Sequence, residues 1–285
     1  MAALSCSDVS TNFSRAVIAV VTTVLLAIPL VAVLGLPREA PLLDAAEAPT
    51  GASAVDKQQV RSVTVDGPDL ESFVENSTGS QVSFYRISDG KRTGTATERF
   101  ARPALSLIKL YIAEYVIEHG TLTEQYEAIN MISSSDDRSA GELYRKYPDS
   151  IDVVAKKYGL LSTRAADRWG FSVTSTYDAV NFIAQLLERD PTHPILVAMA
   201  EATPIAADGY GQDFGTSVLP GVIGTKWGWS DKKDLHSSVS FGENFVVAAA
   251  VTGSADDLTD LVEFQLTDEV EEAGRATGSK PSAAG

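Results

Sequence analysis

Ser106 and Lys109 stand three positions apart in the run Phe100-Ala-Arg-Pro-Ala-Leu-Ser-Leu-Ile-Lys109. Residues with that spacing share one face of a helix, one turn apart. Pro103 suits the first helical position, where its fixed φ and missing N–H cost nothing. Leu105, Ile108, Ile112, Tyr115 and Val116 then recur at helical spacing up to Gly120, a C-terminal stop. The spacing predicts a helix with Ser106 in its first turn, where unpaired backbone N–H groups and the helix dipole favour developing negative charge. A hydroxyl, an amine able to serve as a base and a partial anion site meet within one turn, as an activated nucleophile requires.

The elements that must hold this turn follow from the hydropathy pattern. Gln81–Ser88 reads as a strand, Asp89-Gly90 as a turn, and Thr95–Phe100 as the returning strand of a hairpin. After the serine helix, 122–203 is mostly helical, with an amphipathic pattern over Tyr177–Arg189. Strand-like sequence returns at Gly221–Trp227, Leu235–Phe241 and Phe245–Thr252, and Ala255 to about Glu271 predicts a closing helix. Strands, a helical block, strands and a final helix indicate an α+β domain whose antiparallel sheet is built from both ends of the chain.

The 285 residues are 44% hydrophobic and 21% charged, enough for one substantial core. A formal charge of −15 argues against nucleic-acid binding and against a peripheral hold on anionic lipid. His119, His193 and His236 are scattered, no HExxH or Cys/His cluster exists and no phosphate loop is found, so neither metal nor cofactor is expected. Residues 16–37 are nearly unbroken apolar sequence, close to the ~20 residues that cross a bilayer. They predict a signal anchor behind a short cytoplasmic 1–15, with a flexible linker over 38–58, the folded domain over 59–271 and a disordered tail over 272–285. The domain is expected outside the cytoplasm on a single-pass anchor, or secreted if the chain is cut within Asp44-Ala-Ala-Glu-Ala48. The one cysteine, Cys6, precedes the apolar stretch, so it is no lipobox cysteine and the exported part has no disulfide.

Three motifs in order give the chain a resemblance to the penicillin-recognising serine hydrolases, the class A β-lactamases and D,D-peptidases. Ser106-Leu-Ile-Lys109 matches S-x-x-K, Ser135-Asp-Asp137 matches S-D-N with Asp last, and Lys226-Trp-Gly228 matches K-T-G with Trp in the middle. The resemblance implies that Ser106 is the acylated nucleophile, that Lys109 accepts its proton and that Ser135 relays that proton to the leaving group. It implies that Lys226, with Trp227, Gly228 and Asp137, contacts substrate, and that the backbone N–H groups of Ser106 and Trp229 form the oxyanion hole. The implied substrate is a cell-wall-derived or other small acyl compound.

Each motif also has a plainer structural account. Ser134 and Asp137 satisfy the S-x-x-[DE] helix-start pattern. In an ordinary strand Lys226 would be exposed, and Trp227 and Trp229 would face one side and pack under the sheet. Trp169-Gly170 followed by Ser175-Thr176 reads as a turn and a helix N-cap. The departures from the family are definite. No glutamate lies between Leu160 and Tyr177, where class A enzymes carry the one that activates the deacylating water, and Asp167 is the nearest carboxylate. The short interval from Ser106 to Ser135 implies a reduced helical subdomain. Asp137 removes an amide donor, and Trp227 replaces a small hydroxyl residue. Poor β-lactam turnover is therefore expected. The alternative is a catalytically inactive envelope module that binds cell-wall fragments or a protein partner; an adhesin or stalk fits less well, because the chain has no repeats.

Overall fold

The computed structural model describes residues 79–278, with side chains through 276. The expectations for 1–15, 16–37 and 38–58, and for the domain start at 59, lie outside the described residues. No helix among the described residues is long and apolar enough to cross a membrane.

Five strands form one antiparallel sheet in the order β2-β1-β7-β6-β5: β1 Gln81–Arg86, β2 Arg92–Gly94, β5 Val222–Trp229, β6 Leu235–Gly242 and β7 Phe245–Thr252. Both ends of the domain thus supply the sheet, as the element order predicts. A separate pair joins β3 Arg102–Pro103 to β4 Val173–Thr174. The helices are α1 Lys109–His119, α2 Leu122–Ser134, α3 Asp137–Lys146, α4 Ser150–Tyr158, α5 Thr176–Arg189, α6 Pro194–Ala200 and α7 Ala255–Gly278. β7 is central and apolar along most of its length, and period-2 alternation divides it between two cores. Val246 and Ala248 face the helical block with α1 and α5; Val247, Ala249 and Val251 face α7 with Leu258, Val262 and Leu266.

Four local expectations are corrected. The strand returning from the first hairpin is Arg92–Gly94, not Thr95–Phe100. Beyond it, the Thr95 and Thr97 hydroxyls bond the backbone of Val82 and Ser80, and such side-chain bonds compete with a strand ladder. Pro103 does not open the serine helix: it pairs with Val173 across β3 and β4. The helical run starts after it, as a 3-10 turn over Leu105–Ile108 that continues into α1. The N-cap of α3 is Asp136, which accepts from the Arg138 and Ser139 N–H groups, and not Ser134, which closes α2. Finally, α7 runs to Gly278, past Glu271 and into the expected tail. Its apolar stripe extends through Val270 and Ala273, and Asn244 Nδ2 donates to the Ala273 carbonyl at 2.9 Å.

Candidate active site

The 3-10 turn sets the geometry of the first motif. In that helix side chains at i and i+3 eclipse, more directly than in an α-helix. Lys109 Nζ accordingly lies 2.9 Å from Ser106 Oγ. Leu105, just before the serine, has φ 53°, a left-handed backbone that costs a non-glycine residue of order 1–3 kcal/mol. This break redirects the chain from β3 into the turn. The Ser106 N–H finds no acceptor among the described residues.

Ser135 comes to the same point by a similar device. It caps α2 in the left-handed region, φ 56° and ψ 34°. The bend presents both of its oxygens to lysines: Lys109 Nζ donates to its carbonyl at 2.7 Å, and Lys226 Nζ donates to Oγ at 2.7 Å. Lys109 to Ser135 Oγ is longer, 3.4 Å. Asp137, in the first turn of α3, accepts from Lys109 Nζ at 2.5 Å. Lys226 also reaches the Trp227 carbonyl at 3.3 Å.

Both lysines are fully buried. Burial pushes Lys109 below its ordinary range, against the opposing charge and hydrogen bond of Asp137. Burial and the neighbouring charge of Lys109 push Lys226 down further. A neutral Lys109 has two N–H groups and one lone pair. With its N–H groups on Ser135 O and Asp137, the lone pair is left for Ser106 Oγ, the arrangement a base needs.

Strand β5 supplies the opposite wall. Ser230 N donates to Leu235 O at 3.0 Å, making that pair the hydrogen-bonded one nearest the β5–β6 turn. Pairs alternate along an antiparallel ladder, so Trp229, opposite His236, points its N–H away from β6. Since β5 is the sheet edge, that N–H lies on the open side, beside the serine turn. Gly228 permits the approach: a Cβ there would lie 2.9 Å from Ser106 N and from Leu105 Cβ.

Ser106 and Asp137 face a cleft of about 710 Å³ with Trp169, Phe171, Trp229 and Asp208 among its walls. Ser106, Lys109, Ser135, Asp137, Lys226 and Gly228 are therefore brought together. Trp229 stands at the wall, its Nε1 donating to Asp208 Oδ2 at 2.9 Å. Trp227 is not on the cleft, which corrects its placement among substrate-binding residues. Alternation turns its ring to the opposite face of β5 from Lys226, where it packs in the α7 core and donates to the Phe214 carbonyl at 2.8 Å. The plainer account of this strand thus holds for Trp227 and fails for Lys226, which is buried. Trp169, given no role from sequence, lies with its ring 5.0 Å from Lys109 Nζ. Ser175 is the N-cap of α5, as read. Asp208 went unnoticed, and no local pattern marks it. Among the described residues no cluster of His, Cys, Asp or Glu is arranged to hold a metal.

No protein-family model matches the chain. Mycobacterial proteins named "Putative lipoprotein LppW", from Mycobacterium tuberculosis and Mycobacterium bovis, are 30% identical over 143 residues, 44% of this chain and 46% of theirs. The chain thus spans about half the length of the curated relatives it matches. Solved structures agree over more of the fold. The TLA-1 extended-spectrum β-lactamase superposes with a TM-score of 0.56 at 15% identity, over 72% of this chain and 96% of that one. The β-lactamase of Streptomyces albus G gives 0.55 at 13%, over 70% and 97%. A D-alanyl-D-alanine carboxypeptidase of Mycobacterium tuberculosis H37Rv gives 0.51 at 15%, over 73% and 94%. With an antiparallel sheet between α7 and a helical block, and with S-x-x-K on the turn that enters α1, the chain has the fold of the β-lactamases and penicillin-binding D,D-peptidases, in a form far diverged in sequence.

Proposed function

We propose that the chain is an envelope serine hydrolase that forms an acyl-enzyme on Ser106 with an amide or ester of cell-wall type. The single observation that carries this is Ser106 Oγ, open to a cleft, 2.9 Å from the Nζ of a fully buried lysine. In the first step the Ser106 proton passes to Lys109 Nζ while Oγ bonds to the substrate carbonyl carbon. The carbonyl oxygen takes the negative charge toward the N–H groups of Ser106 and Trp229. The proton then moves by way of Ser135 Oγ to the leaving nitrogen or oxygen, whose bond to carbon breaks. Lys226, 2.7 Å from Ser135 Oγ, holds that hydroxyl in place. Deacylation lacks the class A glutamate, so the acyl-enzyme is expected to be long-lived with β-lactams.

Residues 16–37 and the lipoprotein name of the mycobacterial relatives support a place in the cell envelope, the domain lying outside the membrane. A fluorescent penicillin or an activated ester should label the chain at Ser106, and Ser106→Ala should abolish the signal. Labelling that survives this substitution, or a folded wild type that no serine-directed reagent labels, would overturn the proposal. One observation favours the second reading, an inactive module that binds cell-wall fragments or a protein: the 2.5 Å contact with Asp137 stabilises Lys109 as an ammonium, which is no base.

A further inference from the structure

Buried cations are tolerated when an anion faces them. The buried Lys109 has Asp137, and the half-buried Arg86 has Asp89 and Glu272. Two further cations have no carboxylate within salt-bridge distance among the described residues, Lys226 and Arg102. Lys226 can shed its proton; a guanidinium at neutral pH does not. Arg102 donates through Nη1 to the Gly79 carbonyl at 3.2 Å, while its buried Nε has no acceptor among the described residues. Burial alone pulls its pKa down, to about 10, still charged at neutral pH.

The side chain lines a cavity of about 280 Å³ with Ser80, Gln81, Thr97, Phe100 and Thr252. Among the described residues Arg102 is the one charged residue in that wall. Pro103 and Leu235 wall this cavity and the Ser106 cleft alike, so the two spaces adjoin. Arg102 precedes Ser106 by four positions, which bounds their Cα separation at about 15 Å. The cleft itself has the opposite polarity. Asp137, Asp208, Asp231 and Asp234 outnumber Arg168 and Lys232 among its walls, and Lys226 does not reach its surface.

We propose that the Arg102 cavity is an anion subsite beside the Ser106 cleft, holding a carboxylate of the substrate while the uncharged acyl carbon lies at Ser106. This rests on the reading of Ser106 as nucleophile. It shifts recognition of the substrate's carboxylate from Lys226, which is sealed and engaged with Ser135, to a cation that no carboxylate among the described residues neutralises. A guanidinium suits the task because it presents planar paired donors to a carboxylate.

The test uses the full chain in detergent and p-nitrophenyl monoesters of α,ω-dicarboxylic acids from succinate to sebacate, each against the neutral alkyl ester of equal length. At one chain length the carboxylate ester should acylate Ser106 at least tenfold faster than its neutral partner. Arg102→Gln should erase that preference by slowing the charged ester, and Arg102→Lys should keep part of it. Equal rates for charged and neutral esters at every length, or a preference that persists in Arg102→Gln, would overturn the subsite. Neutral esters that fail to acylate Ser106 would overturn the catalytic reading instead. In that event Ser106→Ala protein titrated with free glutarate and adipate decides the subsite alone. Saturable stabilisation against heat, lost in the Ser106→Ala/Arg102→Gln double variant, supports it, and no stabilisation overturns it.

Discussion

Helix α1 buries charge at two places, and the two are built on opposite plans. At its start Lys109 meets Asp137 and a second buried lysine, Lys226, across Ser135. One turn and a residue further on, Glu114 points to the other side, into the helical block. There it accepts from Lys157 Nζ at 2.9 Å and from the Tyr158 hydroxyl, with His193 Nε2 at 3.3 Å. Around Glu114 the donors outnumber the charge. Burial pushes its carboxyl up, but the nearby His193 ring and the hydrogen bonds from Tyr158 and Lys157 prevail and hold it down at about 2. Around Lys109 burial prevails and the ammonium is destabilised. Compensated burial yields a fixed ion that ties α1 to α4 and α6. Undercompensated burial yields a group ready to exchange a proton.

If this contrast is right, substitutions in the two regions should separate chemistry from stability. Lys109→Met should lower the rate of Ser106 acylation by about 10³-fold, the scale of a lost general base. It should leave the chemical-denaturation midpoint unchanged or raised, because an apolar chain of similar length replaces an imperfectly paired buried charge. A fall in the midpoint with the rate intact would break the comparison. Glu114→Gln should do the reverse: about 3 kcal/mol lost in urea unfolding, with acylation by the folded protein retained. The same group predicts an acid limb of stability. Its folded pKa is depressed, so its contribution is complete above the ordinary carboxylate range and drains as the pH falls from ~5 toward 2. Glu114→Gln should flatten that limb in a pH series of unfolding midpoints.

Asp137→Asn is the smallest of the three changes and the one that sharpens the contrast. The Asp137 charge and hydrogen bond oppose the effect of burial on Lys109. Without them the lysine is pushed lower still, so more of it is the free base at neutral pH. The acidic limb of the acylation profile should therefore move to lower pH and the rate near pH 7 should rise several-fold. An unmoved limb would mean that Lys109 is not the titrating base.

Much of the fold could be read from local pattern. Gly221–Trp227, Leu235–Phe241 and Phe245–Thr252 fall within one or two residues of strands β5, β6 and β7 at most boundaries, because buried strands of β-branched and small residues end at polar turns. The amphipathic stretch Tyr177–Arg189 is α5 less one residue. Boundaries failed where a distant partner decided them. Pro103 is extended because Val173, seventy positions on, pairs with it, and α7 continues past Glu271 because Ala273 packs in the core and its carbonyl accepts from Asn244. The site divides in the same way. Ser106, Lys109 and Ser135 were legible as motif members. That Lys226 contacts Ser135, ninety-one positions away, rather than solvent was not, nor was the ring of Trp169 over Lys109.

Neighbours along the chain fix a hydroxyl and an amine in one helical turn, the alternation that sets Trp227 opposite Lys226, and the order of strands and helices. Which charges are compensated depends instead on the packing of distant segments. Asp137 only partly offsets the burial of Lys109, donors from α4 settle Glu114, and Arg102 has no carboxylate within salt-bridge distance among the described residues. The physical reason is that the cost of a buried charge is set by desolvation and by partners within a few ångströms, and both are assembled from segments far apart in the chain.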